Sequence, residues 1–202
     1  MADKGSVIAL VHADESCLGN GRDGFSPGGA ASFIETWSAE GVERRDIRIS
    51  APDSTNNRMA LSGAIATFAL LSQEYERLTV VYVSDSQYLI KGMNEWVPSW
   101  RARGWKRKGG TVENLNLWKK LVHVTERHET VWRWVRGHAG HPKNEYVNDL
   151  AMRAAAEQTF SEGLEESRFD HWLTRQRTAG HFIDYDPDAE LSQVESELAS
   201  RP

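Results

Sequence analysis

At 202 residues and 22.8 kDa the chain can bury one substantial core, and 40% hydrophobic with 26% charged residues is the balance of a globular protein. No apolar run approaches the ~18 residues of a membrane span and MADKGS at the N-terminus lacks a signal-peptide core, so a cytoplasmic protein is expected; the single cysteine, Cys17, excludes an intrachain disulfide or a cysteine-based zinc cluster. The net charge of -5 hides an asymmetry: residues 1–156 carry 20 Lys+Arg against 18 Asp+Glu, whereas residues 157–202 carry four against 11, so the acidity does not argue against an anionic partner for the larger part.

Val7 to Val11 is a continuous apolar run, as expected of a central strand covered on both faces. Gly28-Gly29 separates it from a second strand over Ala30 to Thr36, and Val42 to Ile49 alternates as a half-exposed third, giving an antiparallel meander. Asn56 to Leu71 has helical spacing, with Met59, Leu61, Ile65, Phe68 and Leu71 on one face. Leu78 to Val83 and Val131 to Val135 read as further strands, and helices are expected over Gln87 to Met93, in the following Trp-rich stretch, over Leu115 to Thr125 and from Lys143 into Ala155. Trp118, Trp132 and Trp134 read as core or sheet-face residues. Phe160 to His181 has enough apolar material to dock on the domain, while Asp184 to Pro202 reads as a solvated acidic terminus.

Chemistry-bearing residues gather in a few blocks. Asp14 lies near the end of the first apolar run, STNNRMALSGA spans residues 54–64, Asp85-Ser86-Gln87-Tyr88 follows Val80 to Val83, and GHAGHPKNE, residues 137–145, follows Trp132 to Val135. A further block, WVPSWRARGWKRK, residues 96–108, interleaves tryptophans with basic residues that can follow a phosphate backbone.

In this order the blocks resemble a type 1 (bacterial-type) ribonuclease H, over about Val7 to Glu157. The resemblance implies an α/β ribonuclease H-like fold, a mixed five-stranded sheet with helices on both faces. It divides the chain into a domain at 1–157, with a basic protrusion at about 96–108, and an acidic C-terminal extension at 158–202, partly docked or disordered. The implied activity is hydrolysis of the RNA strand of RNA–DNA hybrids, leaving 5′-phosphate and 3′-hydroxyl ends. Such chemistry uses two Mg²⁺ ions roughly 3.5–4 Å apart, with Mn²⁺ as a substitute, to activate water and neutralise the phosphate and leaving oxygens. Four acids hold the pair in the family. The first and third map to Asp14 and Asp85, the second to Ala60 and the fourth to Asn148.

Each metal has thereby lost one anionic ligand. Asn148 still offers a carbonyl oxygen, whereas Ala60 offers nothing. A chain that binds hybrid and cuts it poorly or not at all is therefore expected; an engineered knockout at Ala60 would look like this, and a naturally non-catalytic hybrid-binding protein is the alternative. Asp149 is expected to face away from the site, and Glu15 to turn to solvent at the strand end, with an inward carboxylate that repels phosphate or holds a metal as the alternative. His138 matches the family's mobile histidine, which assists proton transfer or product release. Asn20, Asn56, Asn57 and Gln87 resemble residues that enter the minor groove of the hybrid, Thr55 a phosphate-pocket hydroxyl, and Cys17 a duplex contact. Capping is the competing role for Thr55 and Asn56. Trp96, Trp100, Arg101, Trp105 and Lys106 resemble the handle that grips the DNA strand, with a purely structural tryptophan cluster as the alternative. A monomer that binds hybrid and no membrane completes the expectation.

Overall fold

Residues 7–19, 25–38, 41–107, 109–137 and 140–200 are described in the structure, a computed structural model. Asn20, most of the 21–27 loop, Lys108 and His138 lie outside them. Strands β1 (Ile8–Cys17), β2 (Gly28–Ser38) and β3 (Gly41–Ala51) form the meander, and α1 (Asn56–Glu74) follows. Next come β4 (Thr79–Ser84), α2 (Gln87–Lys91), a π-helical turn over Gly92–Trp96, α3 (Val97–Ala102), α4 (Leu115–Thr125), β5 (Glu129–Trp134) and α5 (Pro142–Glu157). The C-terminal extension adds β6 (Glu165–Glu166), α6 (Phe169–Thr178) and α7 (Ala189–Ala199). No helix of the described residues is long and apolar enough to cross a membrane.

The sheet order is β5-β4-β1-β2-β3-β6, with β4 parallel to β1 and β5, and the other pairs antiparallel. It has six strands rather than the expected five. The extra one is a two-residue strand of the extension, too short to register in sequence periodicity, which pairs with Arg45 and Asp46 on the edge of β3. It is held there by Asp46, whose buried carboxylate accepts from Ser167 Oγ at 2.8 Å, the Arg168 amide at 3.2 Å and the Tyr146 hydroxyl.

Strand alternation assigns the two faces. Ala9, Val11 and Ala13 of β1, with Val80 and Tyr82 of β4, face α1 and α4 and pack with Leu61, Phe68, Leu71, Trp118 and Leu121. On the opposite face, Ala31 and Phe33 of β2 pack with Tyr146, Val147 and Leu150 of α5 and with Phe169, Trp172 and Leu173 of α6. Leu10, Val81 and Val83 on that face are covered by Leu191 and Val194 of α7. The acidic terminal segment, for which the sequence favours a solvated tail over a weak helix, thus contributes a core helix, because its Leu191, Val194 and Leu198 recur at helical spacing and the central strands are apolar on both sides. Close approach of α5 to β2 requires Gly29, where a Cβ would lie 2.2 Å from the Ala151 carbonyl oxygen.

The helix expected over Gln87 to Met93 continues through the π-turn into α3. A π-turn inserts an extra residue, and this one begins at Gly92, where a Cβ would lie 2.0 Å from the Trp118 ring. Behind it, Tyr88, Trp96, Trp100 and Trp118 form a chain of aromatic contacts with centroids 5.2–5.9 Å apart.

Candidate active site

The C-terminal ends of the parallel strands β1 and β4 lie side by side, Ala13 opposite Ser84, so the residues just beyond them, Asp14 and Asp85, emerge together. Glu15 joins them. Carboxylate oxygens of Asp14, Glu15 and Asp85 all lie within 4.8 Å of one another, and each residue is half-buried. The expectation that Glu15 turns to solvent is therefore corrected. Alternation gives Glu15 the parity of Ala13 and Cys17, which face α1; Ala60, buried on α1, keeps that side free of a second acidic side chain.

Crowding like charges in a partly desolvated pocket favours protonation. Burial, then the neighbouring Asp85, pushes the Asp14 carboxyl up to about 7, opposed by the Glu15 amide, which donates to Asp14 Oδ1 at 2.7 Å. Burial, then Asp14 and Asp85, pushes Glu15 up to about 8. Glu145, in the first turn of α5, adds negative potential at Asp14. Asn148 lies three residues further along, and so on the same stripe of the helix. It is half-buried, with its amide nitrogen 3.6 Å from Met152 Sδ. Asp149 faces away as expected, its Oδ2 accepting from Trp172 Nε1 at 2.8 Å.

Two supports of Asp85 were not apparent from sequence. Gly137 packs directly on it: a Cβ there would lie 2.0 Å from Asp85 Oδ2. Trp134, at the end of β5, donates from Nε1 to the Asp85 carbonyl at 3.0 Å; at 48% exposed it is not in the core, which leaves the other sequence reading, a residue on the sheet face. The signal for both was proximity, since residues 134 and 137 flank the strand end beside β4.

The other sequence-assigned residues fall into two groups. Asn56, Asn57 and Gln87 lie at the same end of the sheet as the acids, because α1 begins over the Gly28 end of β2 and α2 directly follows β4; Asn56 and Gln87 are exposed. Thr55 is exposed and caps α1, its hydroxyl accepting from the Arg58 amide at 3.3 Å. Cys17 is not a surface contact: it is buried with Ala30 and Met59 under α1, and burial pushes its thiol up. Arg101 and Lys106 are exposed, whereas Trp96 and Trp100 are half-buried in the aromatic chain. Trp105 is half-buried with the Lys119 ammonium 5.8 Å from its ring, and Arg101 meets Glu126 at 2.9 Å. Asn20 and His138 lie outside the described residues.

The RNase H family model matches residues 7–156. The chain belongs to the ribonuclease H family. A ribonuclease H of Xanthomonas campestris pv. campestris (strain 8004) is 41% identical over 149 residues, which are 73% of this chain and 92% of that one. A ribonuclease H of Syntrophotalea carbinolica is 39% identical over 159 residues, 78% of this chain and 96% of that one. Among solved structures, LC9-RNase H1, described as a type 1 RNase H with the type 2 active-site motif, is 47% identical with a TM-score of 0.81, covering 89% of this chain and 86% of that one. LC11-RNase H1, solved in complex with an RNA/DNA hybrid, is 14% identical with a TM-score of 0.52, covering 74% of this chain and 98% of that one, a likeness of fold alone. The ribonuclease H-like architecture expected from the sequence is the one observed, with the sixth strand added.

Proposed function

We propose that this ribonuclease H is a working metal-dependent endonuclease for the RNA strand of RNA–DNA hybrids, with Glu15 on β1 serving in place of the acid missing at Ala60. The observation that carries this reading is the convergence of the Asp14, Glu15 and Asp85 carboxylates within 4.8 Å. The expectation of an attenuated chain rested on two lost acids, at Ala60 and Asn148; Glu15 answers the first, and the Asn148 carbonyl oxygen remains a neutral ligand for the second. A relative at 47% identity described as departing from the type 1 active-site motif supports the same reading.

An all-oxygen set of three acids fits a hard cation such as Mg²⁺ or Mn²⁺, and the crowding that pushes the Asp14 and Glu15 carboxyls up would be relieved by a positive charge there. Asp14, Glu15 and Asp85 would hold the metal, with Asn148 contributing a neutral oxygen; bound there, it would supply charge neutralisation and an activated water. The chain's own residues do the rest. Gly137 and Trp134 fix Asp85 from two sides. Asn56, Asn57 and Gln87 meet the minor groove, where 2′-hydroxyls distinguish RNA from DNA. Exposed Arg101, Arg103, Lys106 and Arg107, raised on the packed tryptophans, follow the DNA strand's phosphates. His138 takes the proton-handling role assigned by the resemblance. The products are 5′-phosphate and 3′-hydroxyl ends, made by a cytoplasmic monomer.

Incubating end-labelled hybrid with the full chain and with Glu15→Gln, in Mg²⁺ or Mn²⁺, tests the proposal. Cleavage by the former and its near loss in the latter is expected. A folded chain that binds hybrid without cutting it would instead establish the non-catalytic binder.

A further inference from the structure

Two residues before Asp14, His12 projects from β1 toward the face covered by α5 and α7. It meets a residue 178 positions away: Glu190 Oε2, in the first turn of α7, lies 3.0 Å from His12 Nε2. The same oxygen lies 3.6 Å from Nε2 of His141, the residue that caps α5, and the two imidazoles are stacked with centroids 5.3 Å apart. Two imidazole nitrogens and a carboxylate oxygen thus share one small space, each within 4.8 Å of the others.

We propose that His12, His141 and Glu190 bind a zinc-class divalent cation, which clips the C-terminal helix to β1 and to the start of α5. Neighbouring ligand atoms in a tetrahedral zinc site, with bonds of ~2.0–2.1 Å, are about 3.3 Å apart, close to the spacings to Glu190. Histidine ligands are commonly oriented by a hydrogen bond to the other ring nitrogen. Asn144 Oδ1, 2.9 Å from His12 Nδ1, can accept a proton from that nitrogen, so that on releasing the proton it shares with Glu190, Nε2 would turn its lone pair to the cation. Borderline cations favour such mixed nitrogen and oxygen sets, in contrast to the carboxylates at Asp14.

Two further observations mark the cluster as incomplete. His141 Nδ1 and the Tyr185 hydroxyl are buried without a hydrogen-bond partner among the described residues. Both residues, with His12 and Glu190, line a cavity of about 440 Å³, which has room for a water as the remaining ligand. Lys143, 3.4 Å from Glu190 Oε2, does not claim that carboxylate alone: its ammonium is 2.5 Å from Glu35 Oε2, and both side chains of that pair are fully buried.

Titrating the chelator-treated full chain with Zn²⁺, in excess Mg²⁺ to occupy the carboxylate cluster, tests the assignment. The chain should retain one Zn²⁺ per molecule through gel filtration, and its Tm should rise. Glu190→Gln and His141→Ala should each lose the ion, and Asn144→Ala should weaken binding by roughly 10–100-fold. Co²⁺ in place of Zn²⁺ should give the intense visible bands of a four-coordinate, nitrogen-bearing site. No retained Zn²⁺ in the unaltered chain would overturn the proposal and leave a purely hydrogen-bonded cluster. Equal retention by the chain and both variants would overturn it too, by assigning the ion to the carboxylates.

Discussion

On strand β1 a single residue separates two donor sets of opposite character. Asp14 belongs to a cluster of carboxylates in which burial and neighbouring negative charge push Asp14 and Glu15 up, whereas His12 belongs to one in which imidazole and ammonium groups surround a carboxylate. Burial alone would raise Glu190, but the hydrogen bond from His12 and the charges of His12, Lys143 and His141 hold it down at about 2. The first set has no cationic side chain among its members to relieve its repulsion; in the second, Lys143 and the imidazoles offset the charge of Glu190, and the proposed ion would complete a joint between distant parts of the chain. Charge balance, more than burial, separates the proposed chemistry from the brace behind it.

The sharpest way to break this comparison is Asp14→Asn. Hybrid cleavage should fall on the order of 10³-fold, because a group that positions the reacting charges is lost, and activity within tenfold of the unaltered chain would discredit the carboxylate cluster as the catalytic site. Gly137→Ala should come next, at about 10²-fold in kcat with little change in hybrid affinity, since its Cβ would displace Asp85 Oδ2. Ala60→Glu should not rescue anything: it adds a fourth acid at a buried position and should cost roughly 2–3 kcal/mol in metal-free urea unfolding. A tenfold gain in cleavage from that substitution would show that Glu15 does not serve in its place.

The smallest effect is the most diagnostic, because the two clusters have opposite pH signatures. Asp14 and Glu15 have folded pKa values of about 7 and 8, above their ordinary 3.8 and 4.5, so their contribution is fully present below pH 4 and is lost as pH rises through 7 and 8. Mg²⁺ or Mn²⁺ should therefore raise Tm more at pH 8 than at pH 5. Glu190 is depressed from 4.5 to about 2, so its contribution is present above pH 4.5 and lost as pH falls toward 2. Thermal melts of Glu190→Gln and of the unaltered chain should draw together as pH falls toward 2, diverge as pH rises from 2 to 4.5, and keep the full difference above it.

Much of the framework was legible because it follows local rules. The unbroken Val7 to Val11 run marked a doubly covered strand, the period of Asn56 to Leu71 marked α1, and the Asp85 and GHAGHPKNE blocks marked the site's order along the chain. Glu15 was misread because a side chain's direction at a strand end depends on what occupies the facing helix. Reading Ala60 only as a loss hid the room it leaves. Cys17 follows the same rule: its parity with Ala13 turns it under α1, where it is buried with Ala30 and Met59. The partnership of Glu190 with His12 spans 178 residues and has no local signature. Its trace was indirect: apolar central strands need cover on both faces, and Leu191, Val194 and Leu198 were available to supply it.

That cover has a consequence for biosynthesis. Leu10, Val81 and Val83 are made before Leu191 and Val194, with Leu191 lying 108 positions after Val83. At roughly 5–20 residues per second, an apolar strip on the half-built sheet stays open to the solvent, or to a chaperone, for several seconds before its own lid is synthesised.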